Sequence, residues 1–331
     1  MIVVGIEGTA HSIGVGIIQN EQDHCTVLAN AIKTYHPKQG GIHPREAAIH
    51  HSNHLPALLH ATLQEANISP KNIDLVAFSK GPGLGPCLRT AATAARAFAL
   101  YYDKPLMGVN HCVAHLEIGR GTIPTCTDPV LLYTSGANTQ IIAYTNGKYR
   151  VFGETLDIGI GNCIDKFGRF IDLPFPSGPT IERLAAQGTT YYPLPYSIKG
   201  MDVSFSGLLT AAEQYVQQGC ELKDICFSLQ ETTFAMLTEV TERAMAHTEK
   251  QEVLLGGGVA SNNRLREMVS IMAKERNAHC FVPEKSLCVD NGAMIAWLGY
   301  LMHKSGEHMS ITDSVIDQRF RTDMVEVTWR E

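Results

Sequence analysis

The chain has 331 residues, of which 44% are hydrophobic and 18% are charged. This length is enough for two packed cores, and the mixed composition excludes a disordered or fibrous protein. No uninterrupted apolar stretch approaches the roughly 20 residues that a membrane-spanning helix needs, and the N-terminus lacks the basic residues of a signal peptide. The composition therefore predicts a soluble, cytoplasmic, globular protein with two lobes.

The formal net charge of -6 at pH 7 bears on the class of partner. A protein that binds nucleic acid alone usually presents a basic face. If RNA is the substrate, we expect partner subunits to supply part of the RNA-binding surface.

The cysteines predict neither a zinc ribbon nor a disulfide framework. There are nine of them, and no two have the Cys-x-x-Cys spacing. We therefore expect most of the thiols to be buried as small apolar groups.

The order of predicted elements repeats once along the chain. Each half opens with two apolar runs joined by a turn of small residues that includes glycine, which predicts a β-hairpin. The runs and turns are Ile2–Ile6, 8–10 and Val15–Ile18 in the first half, and Val130–Tyr133, 134–138 and Ile141–Tyr144 in the second. Each half therefore begins with the same hairpin.

Both halves also continue alike, with a strand, a glycine-rich turn, a helix and a short strand. These elements are Leu75–Phe78, 81–86, Leu88–Tyr101 and Leu106–Val109, then Val253–Leu255, Gly256–Gly258, Asn262–Glu275 and Cys280–Val282. The repeat predicts two related α/β lobes with a cleft between them. We place them at 1–125 and 126–331, with the C-terminal helix as a candidate to pack back on the first lobe.

This duplicated arrangement resembles the superfamily of actin, sugar kinases and heat-shock ATPases. The resemblance implies that the two hairpins hold the phosphates of a nucleotide with backbone N–H groups, because a tight turn can direct several donors at one anion. Glycine in one hairpin turn is usually structural, so the argument depends on finding the pair.

Three side chains suggest a metal site. His111 and His115 follow the short strand of the first half, and their spacing places them on one face of a helix. Asp290 follows the matching strand of the second half. Two imidazoles and one carboxylate suit a catalytic zinc or non-haem iron with open coordination positions. The duplication thus predicts that the three residues meet in the cleft.

Spacing alone is weak support for a metal, because histidine pairs also occur in cores and on surfaces. His50 and His54, within a predicted amphipathic helix at 44–63, have the same spacing but no evident third ligand, and we expect them to be structural or solvent-facing. A zinc protease is disfavoured because Cys112 replaces the glutamate that should follow the first histidine. A serine nucleophile is disfavoured because no Gly-x-Ser-x-Gly occurs.

Five blocks, in order, resemble the universal tRNA threonylcarbamoyladenosine synthesis family, whose members were formerly described as O-sialoglycoprotein endopeptidases. The blocks are Gly81–Arg89, His111–His115, Asp202–Leu208, Gly257–Asn262 and Asp290–Met294. The resemblance runs from Gly5 to about Trp329. Further marks resemble the archaeal and eukaryotic branch, whose members work in the KEOPS complex: Tyr133, Gly41–Glu46 and Arg319–Asp323.

The resemblance implies two groups of site residues. An iron or zinc ion would be held by His111, His115, Tyr133 and Asp290. An adenylate would lie across Thr134, Ser135, Gly136, Ala137 and Asn138, with contacts to its sugar, base or phosphate from Asp165, Gly178, Glu182 and Asn262.

The implied reaction is attack by the N6 amine of the adenosine 3′ to the anticodon, in tRNAs that read codons starting with A. The amine attacks the carbamoyl carbon of threonylcarbamoyl-adenylate and AMP is released; ATP or AMP analogues would occupy the same cleft. The base that accepts the amine proton is not evident, and Glu7 and His11 are the candidate catalytic groups.

The chain departs from the family pattern at a few positions. Bacterial relatives carry an Asp-Glu pair in the first hairpin, where this chain has His11 and Ser12. Cys163 and Gly168 stand where alanine is frequent, and Ser177 stands where glycine is usual. None of these departures removes a proposed metal ligand.

The resemblance also implies partners: tRNA, a separate kinase subunit, and small bridging and regulatory subunits, with no membrane. This chain has neither a His-Arg-Asp nor an Asp-Phe-Gly kinase signature. The helix at 44–63 is a candidate docking surface.

Two other functions remain open. One is a small-molecule kinase or ATPase of the same superfamily, which is disfavoured because phosphoryl transfer uses Mg²⁺ on oxygen ligands whereas imidazole prefers softer metals. The other is an inactive, nucleotide-dependent scaffold subunit, for which an intact set of metal ligands would serve no purpose.

Overall fold

The structure is a computed structural model that describes residues 1–21, 24–37 and 41–330. The chain forms two compact units. The first unit comprises Met1–Thr125, Asn146–Tyr149 and Glu284–Glu331, and the second comprises Cys126–Thr145 and Arg150–Pro283. The predicted lobes, 1–125 and 126–331, differ from this grouping at 146–149 and at 284–331. Glu331, the last residue of the second predicted lobe, lies outside the described residues.

The described chain contains both strands and helices, in mixed order. The strands are β1 (Ile2–Glu7), β2 (Ser12–Glu21), β3 (His24–Thr34), β4 (Leu75–Gly81), β5 (Leu106–Asn110), β6 (Val130–Thr134), β7 (Thr139–Thr145), β8 (Lys148–Glu154), β9 (Ile198–Lys199), β10 (Asp202–Val203), β11 (Glu252–Gly256) and β12 (His279–Phe281). The helices are α1 (Pro44–Glu65), α2 (Gly85–Tyr102), α3 (His111–Thr122), α4 (Ile160–Phe170), α5 (Gly178–Ala185), α6 (Ser206–Gln217), α7 (Leu222–Thr248), α8 (Asn263–Glu275), α9 (Lys285–Cys288) and α10 (Gly292–Lys304).

Two five-stranded sheets have the same topology. The sheet of the first unit has the order β3-β2-β1-β4-β5, and the other has the order β8-β7-β6-β11-β12. In both, the opening hairpin is antiparallel and the next two strands add in parallel. The predicted duplication is therefore confirmed at the level of sheet topology, including the strand equivalence of β5 with β12.

Several predicted boundaries differ from those observed. The segment 81–86 was predicted as a turn, but α2 begins at Gly85 with Pro86 in its first turn, where a missing N–H costs nothing. The long helix α7 and the strand β3 were not predicted. The helix predicted from Asn262 begins one residue later, because Asn262 is its N-cap.

The two faces of β1 pack differently. Val4 and Ile6 belong to the core cluster that also contains residues of α1 and α2. Gly5 lies between them and faces the other way, since side chains alternate along a strand. A Cβ at Gly5 would meet the carbonyl oxygen of Gly292 and the amide nitrogen of Ala296. Helix α10 therefore lies in backbone contact with β1.

The same close approach continues on β2. A Cβ at Gly16 would meet the backbone of Gly292 and Ala293, and a Cβ at Gly292 would meet the amide nitrogen of Gly16. Every residue from Gly292 to Tyr300 is buried, as expected for a helix that is apolar all round. The first turn of α10 is thus held directly against the central hairpin of the sheet.

Seven of the nine cysteines are buried and two are partly buried, which confirms the expectation that most of the thiols are buried. Among the described residues, no helix combines the length and the apolarity needed to cross a bilayer.

We predict that Gly16→Ala lowers the free energy of unfolding by about 1–3 kcal/mol, because the added methyl group forces α10 away from β2. Chemical denaturation of the purified chain measures this. Gly41→Ala is the matched control in the same unit, since a Cβ at Gly41 meets nothing within 4 Å. Equal stability of the two variants would contradict the role assigned to this contact.

Candidate functional site

His111, His115 and Asp290 lie close together, and all three belong to the first unit, whereas the sequence predicted Asp290 on the second lobe. The two imidazole rings lie 4.9 Å apart between centroids and are nearly perpendicular, at 84°. Asp290 Oδ1 lies 3.3 Å from Nε2 of His111 and 3.3 Å from Nε2 of His115. One ligand atom from each residue lies within 4.8 Å of the others. The three side chains therefore converge on one point.

Helix caps fix the elements that carry these ligands. Asn110 ends β5 and caps α3, with its Oδ1 accepting from the amides of Cys112 and Val113 at 3.0 and 3.1 Å. Asn291 caps α10 in the same way, accepting from the amide of Met294 at 3.0 Å. Each cap stands next to a ligand in the sequence. Asparagine is a favoured N-cap residue, so these two positioning residues were recognisable from the sequence but were not assigned.

The C-terminal segment contacts the same region of the first unit. Asn110 Nδ2 donates to the carbonyl oxygen of Phe320 at 2.9 Å. The buried Glu117, on α3, accepts hydrogen bonds from Tyr149, from Arg120 and, at 3.2 Å, from Trp329 Nε1. These contacts hold α3 at its N-cap, Asn110, and again at Glu117.

Burial and charge act in opposite directions on the pKa values of His115 and Asp290. Burial lowers the pKa of His115, and the hydrogen bond and charge of Asp290 only partly offset this. Burial raises the pKa of Asp290, but His111 and His115 outweigh burial and hold that pKa well below its ordinary value. The site therefore favours a charged carboxylate next to imidazoles, which is the protonation pattern of a metal centre.

The donor set fits a bound transition metal. Two ligands at about 2.1 Å from one ion with tetrahedral angles lie about 3.4 Å apart, which is close to the observed separations of 3.3 Å. Two imidazole nitrogens and one carboxylate oxygen suit zinc or ferrous iron, with further positions open. His111 and His115 are 4% and 1% exposed, so the protein shields both imidazole rings from solvent.

Glu7 lies directly behind His111. Its Oε2 is 3.0 Å from His111 Nδ1, and its Oε1 accepts from the amide and the hydroxyl of Thr9 at 2.7 and 2.5 Å. Glu7 is fully buried. His11, the other candidate catalytic group, is half-buried in the turn between β1 and β2, and its carbonyl oxygen accepts from the amide of Tyr35.

The turn of the first hairpin uses several of its own polar groups. The amide of Gly8 donates to Ser79 Oγ at 3.0 Å, and the amide of Thr9 is occupied by Glu7. His51 Nε2 lies 3.0 Å from the carbonyl oxygen of Ala10, and burial lowers the pKa of His51 to about 4, so the neutral ring donates there. The predicted phosphate contacts of this hairpin therefore cannot use the amides of Gly8 and Thr9 without breaking these bonds.

The second hairpin turn lies in the second unit against the start of α4. The amides of Gly161 and Asn162 donate to the carbonyl oxygens of Ser135 and Gly136 at 3.1 and 2.8 Å. Ser135 and Asn138 bond to each other across the turn. The turn residues between them, Gly136 and Ala137, are exposed. This turn is hydrogen-bonded to the start of α4 and presents its tip to solvent, which leaves the tip accessible to an anion.

Asp165, Ser177 and Gly178 form a second group in this unit. Asp165 Oδ1 accepts from the amide of Ser177 at 2.8 Å, which orients the residue before Gly178. Ser177 Oγ donates to the carbonyl oxygen of Pro174 at 3.1 Å. A Cβ at Gly168 would occupy the position of the Ser177 side chain. Gly168 and Ser177 are therefore in direct contact, and a larger residue at 168 would need the space of the Ser177 side chain.

Glu182 and Asn262 lie around the start of α8. Glu182 Oε1 accepts from the amide and from Nδ2 of Asn263 at 2.8 and 2.9 Å. Asn262 Oδ1 caps α8 through the amides of Arg264 and Leu265, and its Nδ2 donates to Gln230 at 3.0 Å. Asn262 thus has a structural task in addition to its predicted ligand contact, and Asn263 was missed by the sequence reasoning.

Tyr133 is buried on β6 in the second unit, paired with Gly256 of β11. Its ligation of the metal stays a prediction, as do the nucleotide contacts. The second histidine pair differs from the first, because His54 Nδ1 donates to the carbonyl oxygen of His50 at 2.8 Å within α1. That nitrogen is used inside the helix.

We predict that His115→Ala and Asp290→Asn weaken zinc binding by more than the roughly 10–100-fold that loss of an outer-sphere partner costs. Competition with a chromophoric chelator measures the affinity, and elemental analysis measures the bound metal. His54→Ala is the matched control, because it removes a histidine of the same spacing. Loss of metal from this control, or retention by both site variants, would contradict the assignment.

We predict that Gly168→Ala and Ser177→Gly are strongly non-additive. Gly168→Ala alone should cost about 1–3 kcal/mol of stability by overpacking against Ser177, and Ser177→Gly in the same chain should restore most of it. A double-mutant cycle on the free energy of unfolding measures the coupling. Additive effects would show that the two positions are independent.

Solved structures of low identity share the fold. T. kodakarensis HypF superposes with a TM-score of 0.65 at 14% identity, over 95% of this chain and 49% of that chain. The activator of the 2-hydroxyisocaproyl-CoA dehydratase from Clostridium difficile, solved with bound ADPNP, gives a TM-score of 0.55 at 11% identity, over 94% and 100% of the two chains. The predicted fold class, an α/β protein with a duplicated arrangement of strands, is confirmed by these neighbours and by the matching topology of the two sheets.

Relatives of high identity cover almost the whole chain. A tRNA N6-adenosine threonylcarbamoyltransferase from Thermococcus sibiricus is 57% identical over 99% of this chain and 100% of its own length. A probable bifunctional tRNA threonylcarbamoyladenosine biosynthesis protein from Methanocaldococcus jannaschii is 55% identical over 99% of this chain, which spans 60% of that longer protein. The family model of tRNA N6-adenosine threonylcarbamoyltransferase (TsaD) matches residues 26–297. With this match and these identities, the chain belongs to the tRNA N6-adenosine threonylcarbamoyltransferase family.

Proposed function

We propose that this chain transfers the threonylcarbamoyl group from threonylcarbamoyl-adenylate to N6 of the adenosine 3′ to the anticodon, in tRNAs that read codons starting with A. The observation that carries the proposal is the convergence of His111, His115 and Asp290 at one point, in a chain that belongs to this transferase family. A scaffold protein would have no need of such a buried donor set.

The metal site is supported by the donor set and its burial. His111, His115 and Asp290 would hold one iron or zinc ion, with Tyr133 as a further ligand. Lewis-acid polarisation of a carbonyl or phosphate oxygen is the chemistry that such an ion supplies when bound. Asp290 and the two histidines keep their positions because α3 and α10 are capped next to them.

The donor would lie on the second unit. The exposed turn at Gly136 and Ala137 presents backbone groups to the phosphate, with Thr134, Ser135 and Asn138 shaping the turn. Asp165 and Glu182 accept hydrogen bonds from ribose hydroxyls, and Gly178 allows close approach of the sugar. Asn262 orders the start of α8 by accepting from the amides of Arg264 and Leu265.

The reaction is an acyl transfer with balanced bonds. The N6 amine forms a C–N bond to the carbamoyl carbon, the bond from that carbon to the adenylate phosphate oxygen breaks, and AMP leaves with its negative charge. Backbone amides near the phosphate stabilise that charge. The amine proton must go to a base. Glu7 is buried with both oxygens engaged, which leaves His11 as the candidate proton acceptor on this chain.

We propose that the chain works in the cytoplasm as the catalytic subunit of a KEOPS-like complex, with a separate kinase subunit and small bridging and regulatory subunits. The net charge of -6 supports this, because a tRNA carries many phosphates and binding them needs basic surface from partners. The helix α1 stays a candidate docking surface.

The function is tested by transfer of radiolabelled threonine from threonylcarbamoyl-adenylate to unmodified tRNA, with the reconstituted partners. We expect label in the tRNA with wild type and with the control His54→Ala. We expect its loss with His111→Ala and Asp290→Ala, provided that circular dichroism shows both variants to be folded.

A further variant separates donor binding from metal binding. Glu182→Ala should retain the metal but weaken AMP binding by about 10-fold or more, because hydrogen bonds to charged groups contribute roughly 1.5–3 kcal/mol. Absence of label with wild type under every combination of partners would overturn the transferase and favour a nucleotide-dependent scaffold or ATPase subunit.

A further inference from the structure

The carboxylate of Glu7 is placed where a general base would be of little use. Glu7 ends β1 and is 0% exposed. Its two oxygens serve different partners: Oε1 accepts two hydrogen bonds from Thr9, and Oε2 lies 3.0 Å from His111 Nδ1. A group that accepts a proton from a substrate amine must come within hydrogen-bond reach of it, and no oxygen of Glu7 faces solvent.

The contact with His111 determines which ring nitrogen carries the proton. A carboxylate has no donor, so the 3.0 Å contact is a hydrogen bond only if His111 Nδ1 carries a hydrogen. In the neutral ring, Nε2 then has the lone pair. That lone pair faces Asp290 Oδ1 at 3.3 Å. In that neutral ring, Nε2 and Asp290 Oδ1 are two acceptors, which attract each other only with a cation between them, whereas a doubly protonated ring would donate to both carboxylates.

We propose that Glu7 is a positioning residue that holds His111 in the Nδ1–H tautomer and thereby directs its Nε2 at the metal. The inference rests on the proposed metal site and assigns a role to a residue that is neither a ligand nor a proton acceptor. A carboxylate behind a ligating histidine fixes the ring orientation and raises the basicity of the other nitrogen.

Thr9 completes the arrangement by holding Glu7. The amide and the hydroxyl of Thr9 both donate to Oε1, and the carbonyl oxygen of Thr9 accepts from the amide of Leu84 at 2.7 Å. The turn of the first hairpin is therefore anchored to the start of α2 on one side and to Glu7 on the other. A carboxylate with its donors fixed in this way cannot rotate away from His111 without breaking a buried hydrogen bond.

The chemical difference between glutamate and glutamine provides the sharpest test. In Glu7→Gln, the amide oxygen stays with the two donors of Thr9, so the NH₂ group faces His111 Nδ1. His111 must then accept at Nδ1 and carry its proton on Nε2, which removes the lone pair from the metal. We expect zinc affinity to fall by about 10-fold to 100-fold, measured by chelator competition on the full chain.

The tautomer itself is a second, independent readout. Nitrogen NMR of histidine-labelled apoprotein should show His111 protonated at Nδ1 in the wild type and at Nε2 in Glu7→Gln. The wild-type measurement needs no variant, so the test survives even if Glu7→Gln fails to fold. Glu7→Asp keeps a carboxylate and should recover part of the zinc affinity that Glu7→Gln loses.

Glu117→Gln is the matched control, because Glu117 is also a buried glutamate and lies on α3 with both histidines. A general loosening of α3 would weaken zinc binding in both variants, whereas the positioning role weakens it only in Glu7→Gln. Wild-type affinity in Glu7→Gln, equal losses in both variants, or an Nε2–H tautomer in the wild type would each overturn the proposal while leaving the metal site. Wild type that binds no zinc or iron would overturn the metal site as well.

Discussion

The backbone contact between the first turn of α10 and the hairpin of β1 and β2 is the constraint on which the rest of the first unit depends. Only glycine at positions 5, 16 and 292 permits this approach, since a Cβ at any of them would overlap backbone atoms. Because Asp290 stands two residues before Gly292, the contact also fixes the carboxylate. A second approach, of the Trp297 ring to Gly121, packs α10 on α3. Helix α3, which carries His111 and His115, and helix α10, which follows Asp290, are therefore positioned by small residues outside the site.

Electrostatics then determine what the converged side chains can do. His111 lies between two carboxylates, with Glu7 at Nδ1 and Asp290 near Nε2. Burial disfavours charge on every member of this group, so the arrangement is stable only if the charges compensate one another. A cation at the point where the three ligand atoms meet would satisfy both carboxylates. The site is closed to solvent on the side of Glu7 and partly open at Asp290, whose side chain is 18% exposed.

In the second unit, glycine residues likewise allow the start of a helix to lie against the backbone of a hairpin. Gly159 and Gly161 allow α4 to approach the carbonyl groups of the second hairpin turn, and the first amides of α4 bond to that turn. These hydrogen bonds attach the turn to α4, while its tip stays exposed. Nearby, the Ser177 side chain fills the space that a Cβ at Gly168 would need, so the residues acceptable at these two positions depend on each other. Such coupling cannot be read from either residue alone.

The amino-acid sequence by itself determined the duplicated order of strands and helices, because alternation, apolar runs and glycine turns are local patterns. It also identified His111 and His115, whose spacing on one helix is local, and Asp290, through the duplication. It did not reveal Glu7 as the partner of His111, since 104 residues separate them, nor Asn263 as the partner of Glu182. It suggested that the C-terminal helix packs back on the first lobe, but it did not show that the whole segment 284–331 joins the first unit. Only the tertiary structure decided these points, because long-range contacts depend on which backbones can approach each other, and that is set by packing in three dimensions.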